Sequence, residues 1–223
     1  MDLFIEQFFN IEIMRAAWPM LLNGLGITAL ICVIVIPLGL LAGIFTALAT
    51  LSHRRVIRWP AIVFVDFFRA LPPLVLLIFV FAGLPFAGVR LSPLAAVAVA
   101  FLLNNAAYYG EIYRAGILSV GAGQSEAARS TGLTAAQTMA HVVLPQAVRN
   151  VLPDLLSNTV EVVKLTSLAS VVALAELLYQ ADMARSVTFN ASPIVAAALI
   201  YLIILWPLVR LVSRLERRIG ASA

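Results

Sequence analysis

From Ala16 to Ser52 the chain runs for 37 residues without one Asp, Glu, Lys, Arg or His. That is well beyond the roughly 20 apolar residues a helix needs to cross the hydrocarbon of a bilayer. No water is present there to satisfy an open backbone, so a segment of this kind has to be helical. The rest of the sequence follows suit: 62% of the 223 residues are hydrophobic, 12% are charged, and the mean hydropathy is +1.01. An all-α membrane protein follows, and a water-soluble domain is excluded. The net charge of +4 matters less than where the charges fall, and it does not call for a nucleic-acid partner. The only cysteine, Cys32, sits in the apolar run and provides neither an internal disulfide nor a thiolate metal site. His53 and His141 stand in separate polar segments with no acidic or thiol cluster beside them, so they are read as interfacial residues and no metal is expected.

Five spans are predicted, at 20–51, 58–82, 92–115, 152–179 and 193–213. The second is crossed by Asp66 and Arg69, and the fourth by Asp154, Glu161, Lys164 and Glu176. Assigning the 15 basic residues to the connections sets the orientation. Ten fall on one side (Arg54, Arg55, Arg58, Arg114, Arg129, Arg149, Arg210, Arg214, Arg217 and Arg218), against Arg15, Arg90 and Arg185 on the other. The N-terminus is therefore expected outside and the C-terminus in the cytoplasm. The chain reads as one membrane domain, 20–215, between an extracytoplasmic or interfacial segment, 1–19, and a cytoplasmic tail, 216–223. The acidic start lacks the basic region of a cleaved signal peptide, so the first span is expected to stay as an anchor.

The one long polar connection, 114–150, is placed in the cytoplasm and carries most of the candidate chemistry. Gly121 and Gly123 break the continuation of the third span, Ser125 is positioned to cap a short helix bearing Glu126, Ala127 and Ala128, and Gly132 to end it. Thr134 to Gln137 has the spacing of a capping box for a second helix, expected to stop near Leu144-Pro145. A helix pair fixed to the membrane at both ends suits docking, because a partner pushing on it must move the third and fourth spans. An inert loop is the other reading of these features.

The residues then match a longer pattern. Glu126-Ala127-Ala128, three residues, Gly132, nine residues, Val142, one residue, Leu144-Pro145 resembles the EAA loop of binding-protein-dependent ABC importer permeases, with Val142 in place of Ile. Ala107-Tyr108-Tyr109-Gly110-Glu111-Ile112-Tyr113-Arg114, Gly123-Gln124, Gln146-Ala147 and Arg149 are similar to the polar amino-acid branch, the histidine, glutamine and glutamate permeases. Arg69 with Pro72, Asn158, Lys164 through Leu168, Tyr201 and Glu216-Arg217-Arg218 extend the resemblance along nearly the whole chain. It implies the type I ABC importer (MetI-like) permease fold in the cell inner membrane. It also implies two ABC ATPase subunits that carry ATP and Mg, a second permease chain (a homodimer partner or a sister), an extracytoplasmic solute-binding protein, and a polar amino acid as cargo. Glu126, Ala127, Ala128, Gly132, Leu144 and Pro145 would form the ATPase-docking element. Independently of the resemblance, the chain has no phosphate-cradling G-x-x-x-x-G-K-[ST] motif, and its sole lysine, Lys164, lies within a span. It is thus expected to be a transport subunit without enzymatic activity or a cofactor of its own.

Ionisable groups within spans are the remaining candidates, because they are costly there and face a partner or a cavity. Glu161 and Lys164, three apart on one helix face, can pair with each other or complement the two charges of an amino acid, with Asn158, Thr166 and Ser167 as hydrogen-bonding neighbours. The family's Asp in this segment is replaced by Leu165, so no role passes from that carboxylate. Asp66 and Arg69 have the same spacing and are expected to pair near the cytoplasmic end in a structural or gating role. Pro72-Pro73 must break or kink the second span, either beside the pathway or as a packing feature. Gly39-x-x-x-Gly43 allows close helix packing. The nearer alternative function is the same architecture importing a non-amino-acid solute. An ATP-independent channel or scaffold would share the spans but leave the loop spacing without a reason.

Overall fold

The computed structural model describes residues 1–220, with side chains through Arg217; the side chain of Arg218 and the tail residues 221–223 lie outside the described residues. Helices α1 (Asp2–Phe8), α2 (Ile11–Thr50), α3 (Arg55–Ala70), α4 (Pro73–Ile78), α5 (Pro93–Ser119), α6 (Ala122–Ser130), α7 (Ala135–Thr138), α8 (Leu144–Leu165), α9 (Leu177–Thr188) and α10 (Ser192–Gly220) follow in order. Four helical stretches are long and apolar enough to cross a membrane: Asp2–Thr50, Pro93–Ser119, Ala135–Val172 and Ser192–Arg217. Arg55–Ala70 and Pro73–Ala87 reach that standard only together, as a broken pair that makes a fifth.

Several boundaries differ from the hydropathy reading, each for a local reason. The first long helix starts at Ile11, inside the segment 1–19, because the Asn10 side-chain oxygen accepts the Glu12 and Ile13 amides at 3.1 Å each. The fourth span does not run as one helix to 179. It tightens into a 3-10 turn, Thr166–Val172, that ends at Ala173 in the left-handed region (φ 56°), and α9 begins afresh behind Glu176. Pro72-Pro73 does break the second span: α3 ends at Ala70, Pro72 is extended (ψ 131°), and its carbonyl caps α4 by accepting the Leu76 amide at 3.1 Å.

The chain divides into two compact units. One comprises 1–37, 71–102 and 160–208. Its core joins Ala17 and Leu21 of α2, Leu177, Ala181 and Ala184 of α9, and Ala196, Ala197 and Ile200 of α10. Lipid is as apolar as these side chains, so close packing of small residues rather than water exclusion holds such helices together. In the same unit α1 is tied down by polar bonds. Gln7 Nε2 donates to the Phe189 carbonyl, the Ala191 amide to the Gln7 carbonyl and Asn190 Nδ2 to the Glu6 carbonyl, at 2.9–3.1 Å.

The other unit comprises 38–70, 103–159 and 209–223. Here α5 is the hub. Asn104 Nδ2 donates to the Phe68 carbonyl (3.0 Å), the Tyr109 and Thr159 hydroxyls bond at 2.9 Å, Asn158 Nδ2 donates to Asn105 Oδ1 (3.1 Å), and Asn150 Nδ2 donates to Ser119 Oγ (2.8 Å). Buried amides and hydroxyls in hydrocarbon need such partners, and the bonds fix the rotation of α3 and α8 about α5.

Candidate functional site

The polar connection is shorter and stiffer than its sequence suggested. Glu126, Ala127 and Ala128 lie in α6, with Glu126 and Ala127 exposed and Ala128 buried. Ser125 does not cap this helix; it sits within it, and Gly121 occupies the N-cap without a side-chain bond. Gly132 does end it. Its φ of +92° lets its own amide reach the Arg129 carbonyl (3.0 Å) and the Leu133 amide reach that of Ala128 (3.4 Å), the paired bonds of a Schellman cap. Thr134 and Gln137 form the expected capping box, with the Gln137 amide donating to Thr134 Oγ1 at 3.3 Å and the Thr134 amide to Gln137 Oε1 at 2.9 Å.

The second helix does not stop at Leu144-Pro145. A π-helical turn, Met139–Val143, carries α7 directly into α8, and helix is continuous from Ala135 to Val172. Pro145 falls in the first turn of α8, where its missing N–H breaks least, and the wider turn before it absorbs the change in register. The element between spans is therefore α6 and its cap, about residues 120–134, packed on α7 and the π-turn, rather than the whole of 114–150. Leu144, an exposed residue, is on the wall of an apolar cavity of about 220 Å³ with Leu48, Tyr113, Ala147 and Val151.

Among the ionisable residues in spans, Glu161 and Lys164 pair as their spacing predicts, Nζ to Oε1 at 2.5 Å, with side chains 65% and 49% exposed. Lys164 and Ser167 line a cavity of about 300 Å³ with Leu178, Ala197, Tyr201 and Leu205. Thr166 and Asn158 are not on that face. Thr166 is wholly buried and donates to the Val163 carbonyl (2.7 Å), and Asn158 is taken up by Asn105.

Asp66 and Arg69 do not pair. Arg69 instead reaches Glu111 of α5 at 4.0 Å and stacks over the Tyr108 ring at 5.5 Å, while Glu111 is held by both the Nε and Nη2 of Arg114. The Glu111–Arg114 pair was not singled out from sequence, although two opposite charges three apart in an apolar helix are the signal that singled out Glu161 and Lys164. Glu176 was also missed. It is fully buried and accepts the Leu178 and Tyr179 amides (2.8 Å each) and the Tyr201 hydroxyl (3.2 Å), with Thr28 and Thr166 beside that hydroxyl. In sequence, its place before Leu177-Leu178-Tyr179 reads as span interior; only the break at Ala173 turns it into a helix cap.

The second helix of the polar pair is thus continuous with an apolar helix long enough to span a membrane, and charged residues line cavities along the apolar helices. Comparison with known proteins gives the family. The profile of the binding-protein-dependent transport system inner membrane component family matches residues 35–221. The chain is 37% identical over 88% of its length to the probable amino-acid ABC transporter permease protein YckA of Bacillus subtilis, covering 87% of that protein. It is 35% identical over 91% of its length to the glutamine transport system permease protein GlnP of Escherichia coli, covering 94% of that protein. Among solved structures, a chain of an amino acid ABC transporter crystallised with histidines superposes with a TM-score of 0.86 at 35% identity, over 92% of this chain and 96% of that one. A chain of the inward-facing MetNI methionine transporter shares the fold, with a TM-score of 0.72 at 18% identity over 90% and 96% of the two chains. The chain belongs to the family of binding-protein-dependent transport system inner membrane components, the permease subunits of ABC importers.

Proposed function

We propose that the chain is the permease of an ATP-driven importer that moves a polar amino acid across the cell inner membrane after an extracytoplasmic binding protein delivers it. It crosses five times, counting α3 and α4 as one broken span, with the N-terminus outside and the C-terminal arginines inside. Two such chains, identical or sister, form the pathway with two ATPase subunits, and ATP and Mg act on those subunits. The observation that carries this reading is the α6–α7 element. Glu126 and Ala127 are exposed on α6, whose end is capped at Gly132, and the next helix, α7, continues through the Met139–Val143 turn into an apolar stretch long enough to span a membrane. A push on α6 reaches α8 without a flexible joint between α7 and the span. Leu144 and Pro145 serve the coupling by starting α8 rather than by touching the ATPase. Lys164 and Ser167, with Glu161 paired to Lys164, face the amino acid in the pathway, and Thr166 and Asn158 hold the frame around them. Asp66, Arg69, Pro72 and Pro73 lie at the hinge of the broken span.

The relatives' cargo supports an amino acid, since glutamine, L-cystine and arginine permeases of Bacillus subtilis all match at 34–37% identity. The choice among them is left to the binding protein in this reading, since nothing in this chain's sequence singles one out. The test is reconstitution of the tagged chain with its cognate ATPase and binding protein in liposomes. ATP hydrolysis is expected to rise with one loaded amino acid and the rise to vanish in Glu126→Lys. Stimulation only by a non-amino-acid solute would favour the same architecture with other cargo, and failure of any ATPase to associate would favour a channel or scaffold.

A further inference from the structure

In the second unit, α2, α3 and α5 enclose a cavity of about 290 Å³ lined by Thr50, Ile62, Val65, Asp66, Arg69, Glu111 and Arg114. That is near the lower bound of small-ligand pockets, about 300 Å³, and so fits one small molecule. Its four charges sum to zero, but they are not equivalent. Arg114 holds Glu111 through both carboxylate oxygens, Nε to Oε2 at 2.9 Å and Nη2 to Oε1 at 2.5 Å, and this pair satisfies itself. Arg69 meets Glu111 only at 4.0 Å, with its Cζ 5.5 Å from the Tyr108 ring centre, and its guanidinium makes no close hydrogen bond among the described residues. Asp66 has no ion pair among the described residues.

A cation held only loosely by Glu111 and Tyr108 and an anion without an ion pair among the described residues thus stand three residues apart on α3, with Cβ atoms about 5–6 Å apart, lining the same cavity. Both residues are exposed, so a ligand entering the cavity can reach the two charges. A ligand carrying an ammonium and a carboxylate on one carbon satisfies both at once. A ligand with one charge satisfies one and leaves the other stranded, and a net-charged ligand meets a cavity of zero net charge.

We propose that this cavity is a second amino-acid site, in which Arg69 takes the α-carboxylate and Asp66 the α-ammonium of the cargo. The proposal rests on the importer reading above. Thr50 lies four residues before the Arg54, Arg55 and Arg58 cluster, so on the orientation proposed above the site is on the ATPase side, where cargo leaves. It binds the backbone atoms common to all α-amino acids and leaves the side chain unread, which suits a permease whose specificity is set upstream. Amino acid accumulating on the ATPase side refills it and slows the cycle.

The experiment uses the complete complex in vesicles, with ATPases outward and loaded binding protein sealed in the lumen. The stimulating amino acid, its carboxamide and its deaminated 2-hydroxy acid are each added outside, and ATP hydrolysis is followed. In the wild type the amino acid is expected to inhibit at concentrations about tenfold below either analogue, the loss from removing one charge-assisted contact. Arg69→Gln raises the inhibitory concentration of the amino acid to that of the amide, and Asp66→Asn raises it to that of the hydroxy acid. Equal potency of the three compounds on the wild type, or no inhibition by any, overturns the proposal without reference to the variants. So does an effect that follows the phosphatidylethanolamine content of the vesicles instead of the added amino acid, since that headgroup carries the same pair of charges. If the lumenal loaded binding protein gives no stimulation at all, the importer reading itself fails first.

Discussion

A carbon added to Gly43 would lie 2.6 Å from Tyr109 Cβ and 3.0 Å from the Gly110 amide nitrogen, so the second glycine of Gly39-x-x-x-Gly43 brings α2 against α5 within its own chain. The contact is backbone-deep, and no side-chain rotamer can relieve it. Gly43→Ala should lower the stability of the detergent-solubilised complex by about 1–3 kcal/mol, the usual cost of overpacking. Gly26, seventeen residues earlier in the same helix, has nothing within 4 Å of the added carbon. There the same substitution should be neutral or raise stability by up to about 1 kcal/mol, because alanine restrains the unfolded chain. Thermal unfolding of the two variants side by side checks this, and an equal gain in both would mean that propensity rather than the close approach governs. At this scale the sequence conveyed which residues are small and which are charged in apolar surroundings. It did not convey who meets whom: Arg69 left its predicted partner Asp66 for Glu111 and Tyr108 on the neighbouring α5.

The element that links α6, the proposed docking surface, to the apolar span is the short α7 with its π-helical continuation. Its capping box was legible, since Thr134 and Gln137 are three apart and the bonds are local. The passage through Leu144-Pro145 was not, because proline ends a helix only when it falls in the interior, and here a widened turn places it in the first turn of the next one. Thr134→Ala removes the N-cap and should cost about 1 kcal/mol of local stability. Hydrogen exchange at residues 135–138 should then quicken about fivefold, the factor that energy corresponds to, with exchange in α5 unchanged. Exchange rising equally across the chain would show that the cap holds the whole fold and not this element. The Pro72-Pro73 break, by contrast, was fully readable: adjacent prolines deny the helix two amide donors and push the preceding residues to extended backbone wherever they stand.

For the whole molecule, orientation rests on charge alone, and this makes it open to a direct test. In a Cys32→Ser background, Asp2→Cys should react with a membrane-impermeant maleimide only from the extracytoplasmic side and Arg214→Cys only from the cytoplasmic side. The reverse pattern would place the α6 surface on the wrong side for an ATPase and remove the physical basis of the docking role. The expectation is firm because ten basic residues against three is a large bias, and because loops this short follow the positive-inside rule.

By itself, then, the sequence determined what depends on local or additive physics: helical stretches, since hydrocarbon leaves the backbone no other choice; the caps at Gly132 and Thr134; and the family, through motifs held at fixed spacing; it also sets the expected orientation, since loop charge is counted. Tertiary structure alone decided the rest. The unwinding at Ala173 makes Glu176 a buried cap, the Asn105–Asn158 bond withdraws Asn158 from the face it was expected to share, and α5 supplies Glu111 to Arg69 and leaves Asp66 without an ion pair among the described residues. Each is a pairing between residues far apart in the chain or a break propagated along a helix. Hydropathy and spacing along one segment carry no record of which neighbour will stand across from it.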